Sequence, residues 1–146
     1  MRIYLDANIL FTAAHNPNGK AALVIELGRS GIWRLVTSPY AAEEARRNIA
    51  RKLPAREAEA QACKAPACRD RLETLMEDIG LVADSPETLC PTGLAEKDGP
   101  IFRAARGCCA DVLLTGDIRD FGFLMNAPEK ASGLLIQTVA EFLAGQ

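Results

Sequence analysis

The sequence has few of the residues that build several common kinds of functional site. Among its 146 residues there is one histidine, and aromatic residues make up only 5%. A zinc site would therefore lack imidazole ligands, and the stacking of many nucleic-acid bases on aromatic side chains is not expected. No apolar run approaches the roughly 20 residues that cross a bilayer, so no membrane association is expected. Asp6 and Asn8 interrupt the segment where a signal peptide would be apolar. We therefore expect a cytoplasmic protein.

The chain also has no excess of positive charge. It has 17 Lys and Arg residues against 19 Asp and Glu residues, which gives a formal net charge of −2. The whole-molecule field therefore does not attract nucleic acid. A polyanionic ligand would have to be bound by a local group of basic side chains.

Cysteine motifs are missing as well, although there are five cysteines. No two of them have the C-x-x-C spacing of a zinc site, and an odd number fits poorly with a complete set of disulfides. Thiols are kept reduced in the cytosol. The interpretation that we favour is five free structural thiols, at Cys63, Cys68, Cys90, Cys108 and Cys109.

Short apolar segments alternate with longer helical patterns along the whole chain. This alternation predicts βαβ units and a parallel sheet in an α/β fold, with residues 1–146 as a single domain. Strands are predicted at 3–5, 33–36, 81–83, 111–115 and 134–136. Helices are predicted at about 22–27 and 39–52, where Pro54 ends the second. Further helices are predicted at 55–78 with a break at Pro66, at 98–107, after Asp120 and at about 139–143.

Acidic residues follow the ends of two predicted strands. Asp6 comes directly after the first strand, and Asp117 follows the fourth. Glu44 lies in the helix after the second strand, and Asp98 opens the helix before the fourth. The carboxyl ends of parallel strands share one edge of the sheet, where ligands of such sheets bind. We therefore expect these acids to lie close together.

Gathered carboxylates repel one another, and a divalent cation removes that penalty. Oxygen ligands without histidine or cysteine favour Mg²⁺ or Mn²⁺. Such an ion can hold a phosphodiester and generate a hydroxide nucleophile from a bound water.

Each acid also has an ordinary structural interpretation. Asp117 would cap the helix that follows it, and Asp120 would reinforce the first turn of that helix. Asp98 would be a helix N-terminal acid, and Glu44 a solvated helix residue. Asp6 has a capping role only if a helix begins near residue 9. The joint placement of the acids favours a shared site over these separate roles.

Four motifs, taken in order, resemble those of the PIN domain family, and the resemblance spans nearly the whole chain. They are YLDANIL at 4–10, the Glu44 helix after Thr37 and Ser38, Lys97-Asp98 with Ile101 and Ala104-Ala105, and Ala110-Asp111 through Thr115-Gly116-Asp117 with Asp120-Phe121. The resemblance implies a three-layer α/β/α Rossmann-like fold with a central, mainly parallel sheet of about five strands. It also implies a Mg²⁺- or Mn²⁺-dependent endoribonuclease, in many cases the toxin of a type II toxin–antitoxin pair.

The resemblance assigns roles by position. Asp6, Glu44, Asp98 and Asp117 correspond to the family's acidic residues, as catalytic residues and metal ligands, and Asp120 is an auxiliary acid. Glu43 is adjacent to Glu44, and a one-residue shift would exchange them. The partners that follow are an RNA substrate, a cognate antitoxin and a second copy of the chain in a homodimer.

Three further residues are predicted to contact the substrate. Asn8 would satisfy loop backbone groups or bond to the water shell of the metal ion. Thr115 would be a strand residue only, or would orient Asp117. Arg119 is the first choice for an RNA phosphate contact, because it lies between two of the acids.

Two other functions remain open. The first is a catalytically silent PIN-like module whose acids only bind a metal ion or a partner. The second is a phospho-receiver-type signalling domain, which would require paired acids after strand one and a lysine after strand five. Asn8 and the Gln137-Thr138 pair count against the receiver, and Asn8 also disfavours a phosphatase with an aspartyl nucleophile.

Overall fold

The computed structural model describes residues 1–56 and 65–146, and the side chains of 53–56 are outside that description. Its centre is a sheet of five parallel strands in the order β3-β2-β1-β4-β5. The strands are β1 Arg2–Leu5, β2 Arg34–Thr37, β3 Gly80–Leu81, β4 Val112–Leu114 and β5 Leu135–Gln137. The predicted α/β class, with a parallel sheet of about five strands, is confirmed.

The central strands are apolar on both faces because helices cover both faces. In β1, Ile3, Tyr4 and Leu5 are fully buried, and all three residues of β4 are buried beside them. The helices are α1 Ala7–His15, α2 Lys20–Arg29, α3 Pro39–Arg56, α4 Ala65–Met76, α5 Gly99–Gly107, α6 Ile118–Phe121 and α7 Val139–Ala144. Short 3₁₀ turns occur at Glu96–Asp98, Gly122–Leu124 and Pro128–Lys130.

The order of the strands fixes where a site can form. The chain runs outward from β1 through β2 to β3, then returns to the other side of β1 for β4 and β5. With right-handed crossovers, this reversal places α1–α4 on one face and α5 and α6 on the other. Contacts of α1 with α2, α3 and α4 agree with a shared face. The reversal point lies between β1 and β4, which is where ligands bind in open sheets.

Two predictions about helices are wrong. No helix was predicted for residues 7–15, because Phe11 and Thr12 are poor helix formers and the segment is short. These residues nevertheless form α1. Helix α3 continues through Pro54 to Arg56. Proline lacks a backbone N–H, so Pro54 removes one hydrogen bond of the helix without ending it. The predicted helix at 55–78 falls partly on residues outside the description, and α4 begins at Ala65, directly before Pro66.

The prediction of free thiols holds for some cysteines and fails for one. Cys90, Cys108 and Cys109 are free, but Cys68 is disulfide-bonded. Cys63 lies outside the described residues. The failure has a plain cause, because sequence spacing cannot show which cysteines approach each other in space. None of the described helices is both long enough and apolar enough to cross a membrane.

Candidate metal centre

Asp6 lies where the ends of β1 and β4 meet. Its backbone N–H donates to the carbonyl of Leu114, 3.1 Å away, so the two strand ends are joined at this residue. Asp6 is also the N-cap of α1, because its Oδ1 accepts a 2.6 Å bond from the N–H of Ala7. Its Oδ2 accepts a 2.7 Å bond from the Thr115 hydroxyl. The condition for a capping role, a helix beginning near residue 9, is therefore met.

Burial controls the ionisation of Asp6. Only 4% of the residue is exposed, and this burial raises its pKa to about 6. The hydrogen bonds from Thr115 and Ala7 act in the opposite direction, and the negative charges of Glu44 and Asp117 raise the pKa further. A cation placed near Asp6 would therefore be favoured, because it offsets both the burial and the neighbouring charges.

Asp98 is the acid for whose burial the fold itself gives the least reason. It ends the 3₁₀ turn before α5, yet its side chain makes no capping hydrogen bond. The residue is 8% exposed, and its Oδ2 has no hydrogen-bond partner among the described residues. Burial raises its pKa to about 6, and Lys97 offsets part of the effect of the nearby acids. The alternative role as a helix cap is not used by this side chain.

Asp117 and Asp120 complete a compact group of acids with Asp98. One carboxylate oxygen from each of the three lies within 4.8 Å of the others. Asp117 is also the N-cap of α6, since its Oδ1 accepts a 3.1 Å bond from the N–H of Asp120. The capping role and membership of the group are therefore compatible. The Lys97 ammonium lies 2.8 Å from Asp120 Oδ2 and lowers the pKa of that carboxyl.

The remaining predicted acid lies on α3. Asp6, Glu44, Asp98 and Asp117 all line one cleft of about 290 Å³. Glu43 is exposed, and its carboxylate lies 3.8 Å from the Arg46 guanidinium, outside that cleft. The geometry therefore favours Glu44 over Glu43 as the α3 acid of the site.

Asn8 and Thr115 hold the acids in place. The Asn8 Oδ1 accepts a 2.7 Å bond from the N–H of Gly116, so α1 is tied to the turn after β4. Thr115 Oγ1 accepts a 3.0 Å bond from the N–H of Asp117 while it donates to Asp6. Thr115 is fully buried, and Asn8 lines the cleft. Arg119 is exposed on α6 and does not line the cleft.

The sequence interpretation missed two residues of the cleft and gave a third too little weight. Asn48 and Lys52 line the cleft. Their spacing indicates this, because positions 44, 48 and 52 are four residues apart and therefore lie on the same helix face as Glu44. Lys97 was considered only as the residue before Asp98 in a sequence motif, although it also lines the cleft.

The donors present fit a hard divalent cation. They are carboxylate oxygens, with an amide at Asn8, and the described lining of the cleft includes no cysteine or histidine. The buried Asp98 Oδ2 lacks a partner, as expected of an atom whose partner is an ion. These oxygen ligands suit Mg²⁺ or Mn²⁺ better than zinc.

Comparison with known proteins shows similarity at the level of structure. No family model and no curated protein sequence matches the chain. The solved structure of VapBC2 from Rickettsia felis bound to a DNA fragment from their promoter matches with a TM-score of 0.61 and 14% identity, over 94% of this chain and 98% of that chain. VapBC-1 from nontypeable Haemophilus influenzae matches with a TM-score of 0.55 and 16% identity, over 96% of this chain and 99% of that chain.

Such low identities show a common fold and nothing finer. The parallel sheet, its flanking helices and the coverage of nearly the whole chain all agree with these structures. The fold of this chain is that of a VapC-like PIN domain.

Proposed function

We propose that this protein is a Mg²⁺- or Mn²⁺-dependent endoribonuclease and the toxin of a VapBC-type toxin–antitoxin pair. One observation carries the proposal: the buried Asp98 carboxylate has an oxygen without a partner and faces Asp117 and Asp120. The three acids lie at the strand reversal of a VapC-like fold. Folding alone gives no reason to bury a carboxylate that has an unsatisfied oxygen beside two other carboxylates.

The five acids have distinct tasks in this proposal. Asp98, Asp117 and Asp120, whose carboxylate oxygens lie close together, would hold the ion, and Asp6 and Glu44 would add their negative charges in the same cleft. When bound, the ion supplies positive charge to the scissile phosphate and lowers the pKa of a water. Thr115 and Asn8 keep Asp6 and the turn at Gly116 in register, so the acids are positioned before substrate arrives.

Basic side chains around the acids suit an RNA backbone. Lys52 and Lys97 line the cleft, and Arg119 is exposed nearby in sequence on α6. We assign the lysines to phosphates inside the cleft and Arg119 to a phosphate outside it, because RNA binding requires cations at its phosphates. The choice of RNA itself follows the PIN resemblance. Most side chains of this cleft are charged or amides, which does not suit an apolar ligand.

The toxin assignment comes from the two VapBC structures that share the fold. It predicts an antitoxin protein that binds this chain and suppresses cleavage. A homodimer of this chain is proposed from the PIN resemblance alone.

The proposal is tested by RNA cleavage with purified protein in Mg²⁺ and in Mn²⁺. Cleavage should require the ion and stop with a chelator. Asp117→Asn and Asp98→Asn should each lower the rate roughly 100-fold or more, because both carboxylates hold the ion. Asparagine retains an oxygen that can cap α6, so the Asp117 variant should stay folded.

The matched control is Glu43→Gln, which removes a charge from the same neighbourhood but outside the cleft. It should cleave at the native rate. Native-rate cleavage by Asp117→Asn would contradict the assigned role. Mn²⁺ binding without cleavage of any single-stranded RNA tested would favour the silent metal-binding module.

A further inference from the structure

The phosphate contact assigned to Lys97 does not explain why its ammonium is paired with an acid. Its ammonium lies 2.8 Å from Asp120 Oδ2, within the group of acids that would hold the ion. A lysine paired with a metal ligand is a competitor for that ligand, because both cations favour the same carboxylate. A residue that only recognises substrate would gain nothing from this pairing.

The backbone of Lys97 is fixed while its side chain is exposed. The Tyr40 hydroxyl of α3 donates a 2.9 Å bond to the Lys97 carbonyl. The next residue, Asp98, is buried, but the Lys97 side chain is 65% exposed, against 21% for its partner Asp120. The four-carbon stem of lysine is flexible. The ammonium can therefore leave Asp120 without any movement of the acids.

We propose that Lys97 is an internal counter-ion that competes with the divalent cation for Asp120 and, once displaced, contacts a phosphate of the RNA. In the metal-free protein it neutralises one acid of the group. With the ion bound, Lys97 turns into the cleft that it already lines, and meets the substrate there. This inference rests on the proposed function, since it requires a cation at the acids and a phosphate in the cleft.

Lys52 is the comparison that distinguishes the pairing of Lys97 with Asp120 from a general effect of positive charge. It lines the same cleft, but in the described part of the chain it forms no ion pair with an acid, and its ammonium lies 5.7 Å from the centroid of the Phe11 ring. Replacing either lysine with methionine removes one positive charge from the cleft. Only the Lys97 replacement frees Asp120.

The first experiment measures Mn²⁺ affinity by calorimetry, without RNA. Lys97→Met should bind Mn²⁺ roughly two- to fivefold more tightly than the native protein, the size expected for loss of an exposed competing ion pair. Lys97→Arg should keep the native affinity. Lys52→Met should change it less than Lys97→Met does, and Lys130→Met, at a residue that does not line the cleft, should leave it unchanged.

A double-mutant cycle isolates the pairing. In an Asp120→Asn background, Lys97→Met should change Mn²⁺ affinity much less than it does in the native background, because the partner carboxylate is absent and only the longer-range effect of the charge on the other acids remains. Equal tightening by Lys97→Met and Lys52→Met would show a general charge effect and overturn the inference. So would unchanged or weaker binding by Lys97→Met.

The second readout separates this role from a structural one. At saturating Mn²⁺, Lys97→Met should raise KM for single-stranded RNA severalfold with a smaller change in kcat, and Lys97→Arg should restore KM. A variant that binds Mn²⁺ more tightly yet keeps the native KM would overturn the phosphate contact. If the native protein binds no Mn²⁺ at all, the proposed function fails instead, and the two failures are distinguishable.

Discussion

At the scale of single residues, the surroundings of two carboxyl groups, Asp6 and Asp98, disfavour their ionised forms. Burial is the largest cause for both, and it raises each pKa from 3.8 to about 6. The native state therefore binds protons more tightly than the unfolded chain near these residues. Their favourable contribution to stability is fully present below pH 3.8 and is lost as the pH rises through about 6. At neutral pH the metal-free site is thus a source of instability.

Asp98→Asn tests this consequence in the presence of a chelator. At pH 7.5 the variant should melt a few degrees above the native protein, because a buried charge without a partner has been removed. At pH 4 the two melting temperatures should converge. Thermal unfolding between pH 4 and 8 measures the difference, with Glu43→Gln as the control that follows the native curve. A lower melting temperature for Asp98→Asn at pH 7.5 would show that this carboxylate stabilises the fold.

At the scale of elements, the start of α3 determines where Glu44 lies. Ser38 caps the helix, because its Oγ accepts a 3.2 Å bond from the N–H of Ala41. The same Oγ lies 2.6 Å from the buried Tyr4 hydroxyl of β1. Burial raises the Tyr4 pKa far above its usual value, so this hydroxyl stays neutral. One hydroxyl pair therefore joins the central strand to the helix that carries a site acid.

Ser38→Ala should destabilise the protein by about 2 kcal/mol, since it removes a helix cap and leaves the Tyr4 hydroxyl buried without its partner. Tyr4→Phe should cost about 1 kcal/mol. The double variant should be less destabilised than the sum of the two, because the shared bond is lost only once. Urea unfolding measures all three, and strict additivity would contradict the coupling. Ser30→Ala, an exposed hydroxyl at the end of α2, is the control.

At the scale of the whole molecule, the net negative charge does not attract RNA, whereas the positive side chains near the cleft do. The net charge of −2 gives no general attraction, so binding depends on a few cations close to the cleft. Lys52 and Lys97 line it, and Arg119 is exposed on α6. An interface built on so few phosphate contacts should be weakly sensitive to salt.

The salt dependence can be measured as RNA binding by the Asp117→Asn variant, which should bind without cleaving. Two or three phosphate contacts predict a slope of roughly −1.4 to −2.1 for the logarithm of affinity against that of salt concentration, at about −0.7 per contact on single strands. Fluorescence anisotropy with a labelled single strand gives this slope. A value steeper than about −4 would require a basic surface elsewhere.

Part of this fold and site follows from local pattern. Apolar runs that end in Asp6 and Asp117 indicate the strands and their ligand edge, because burial on both faces requires such runs. The Lys97–Asp120 pair, the empty bonding position of Asp98 and the disulfide of Cys68 depend on side chains that meet only after folding. Helix α1 was missed because local propensity in residues 7–15 is weak, and its packing on α2, α3 and α4 decides its structure.

The acids that meet where the strand order reverses, between β1 and β4, come from two different parts of the chain. Asp6 and Glu44 come from the first 56 residues, whereas Asp98, Asp117 and Asp120 come from the part after residue 65. A cation bound by acids from both parts of the chain would link the two parts at the middle of the sheet. Its binding energy would then oppose separation of the halves. The ion would stabilise the fold as well as take part in catalysis, and a chelator would lower the stability of the protein.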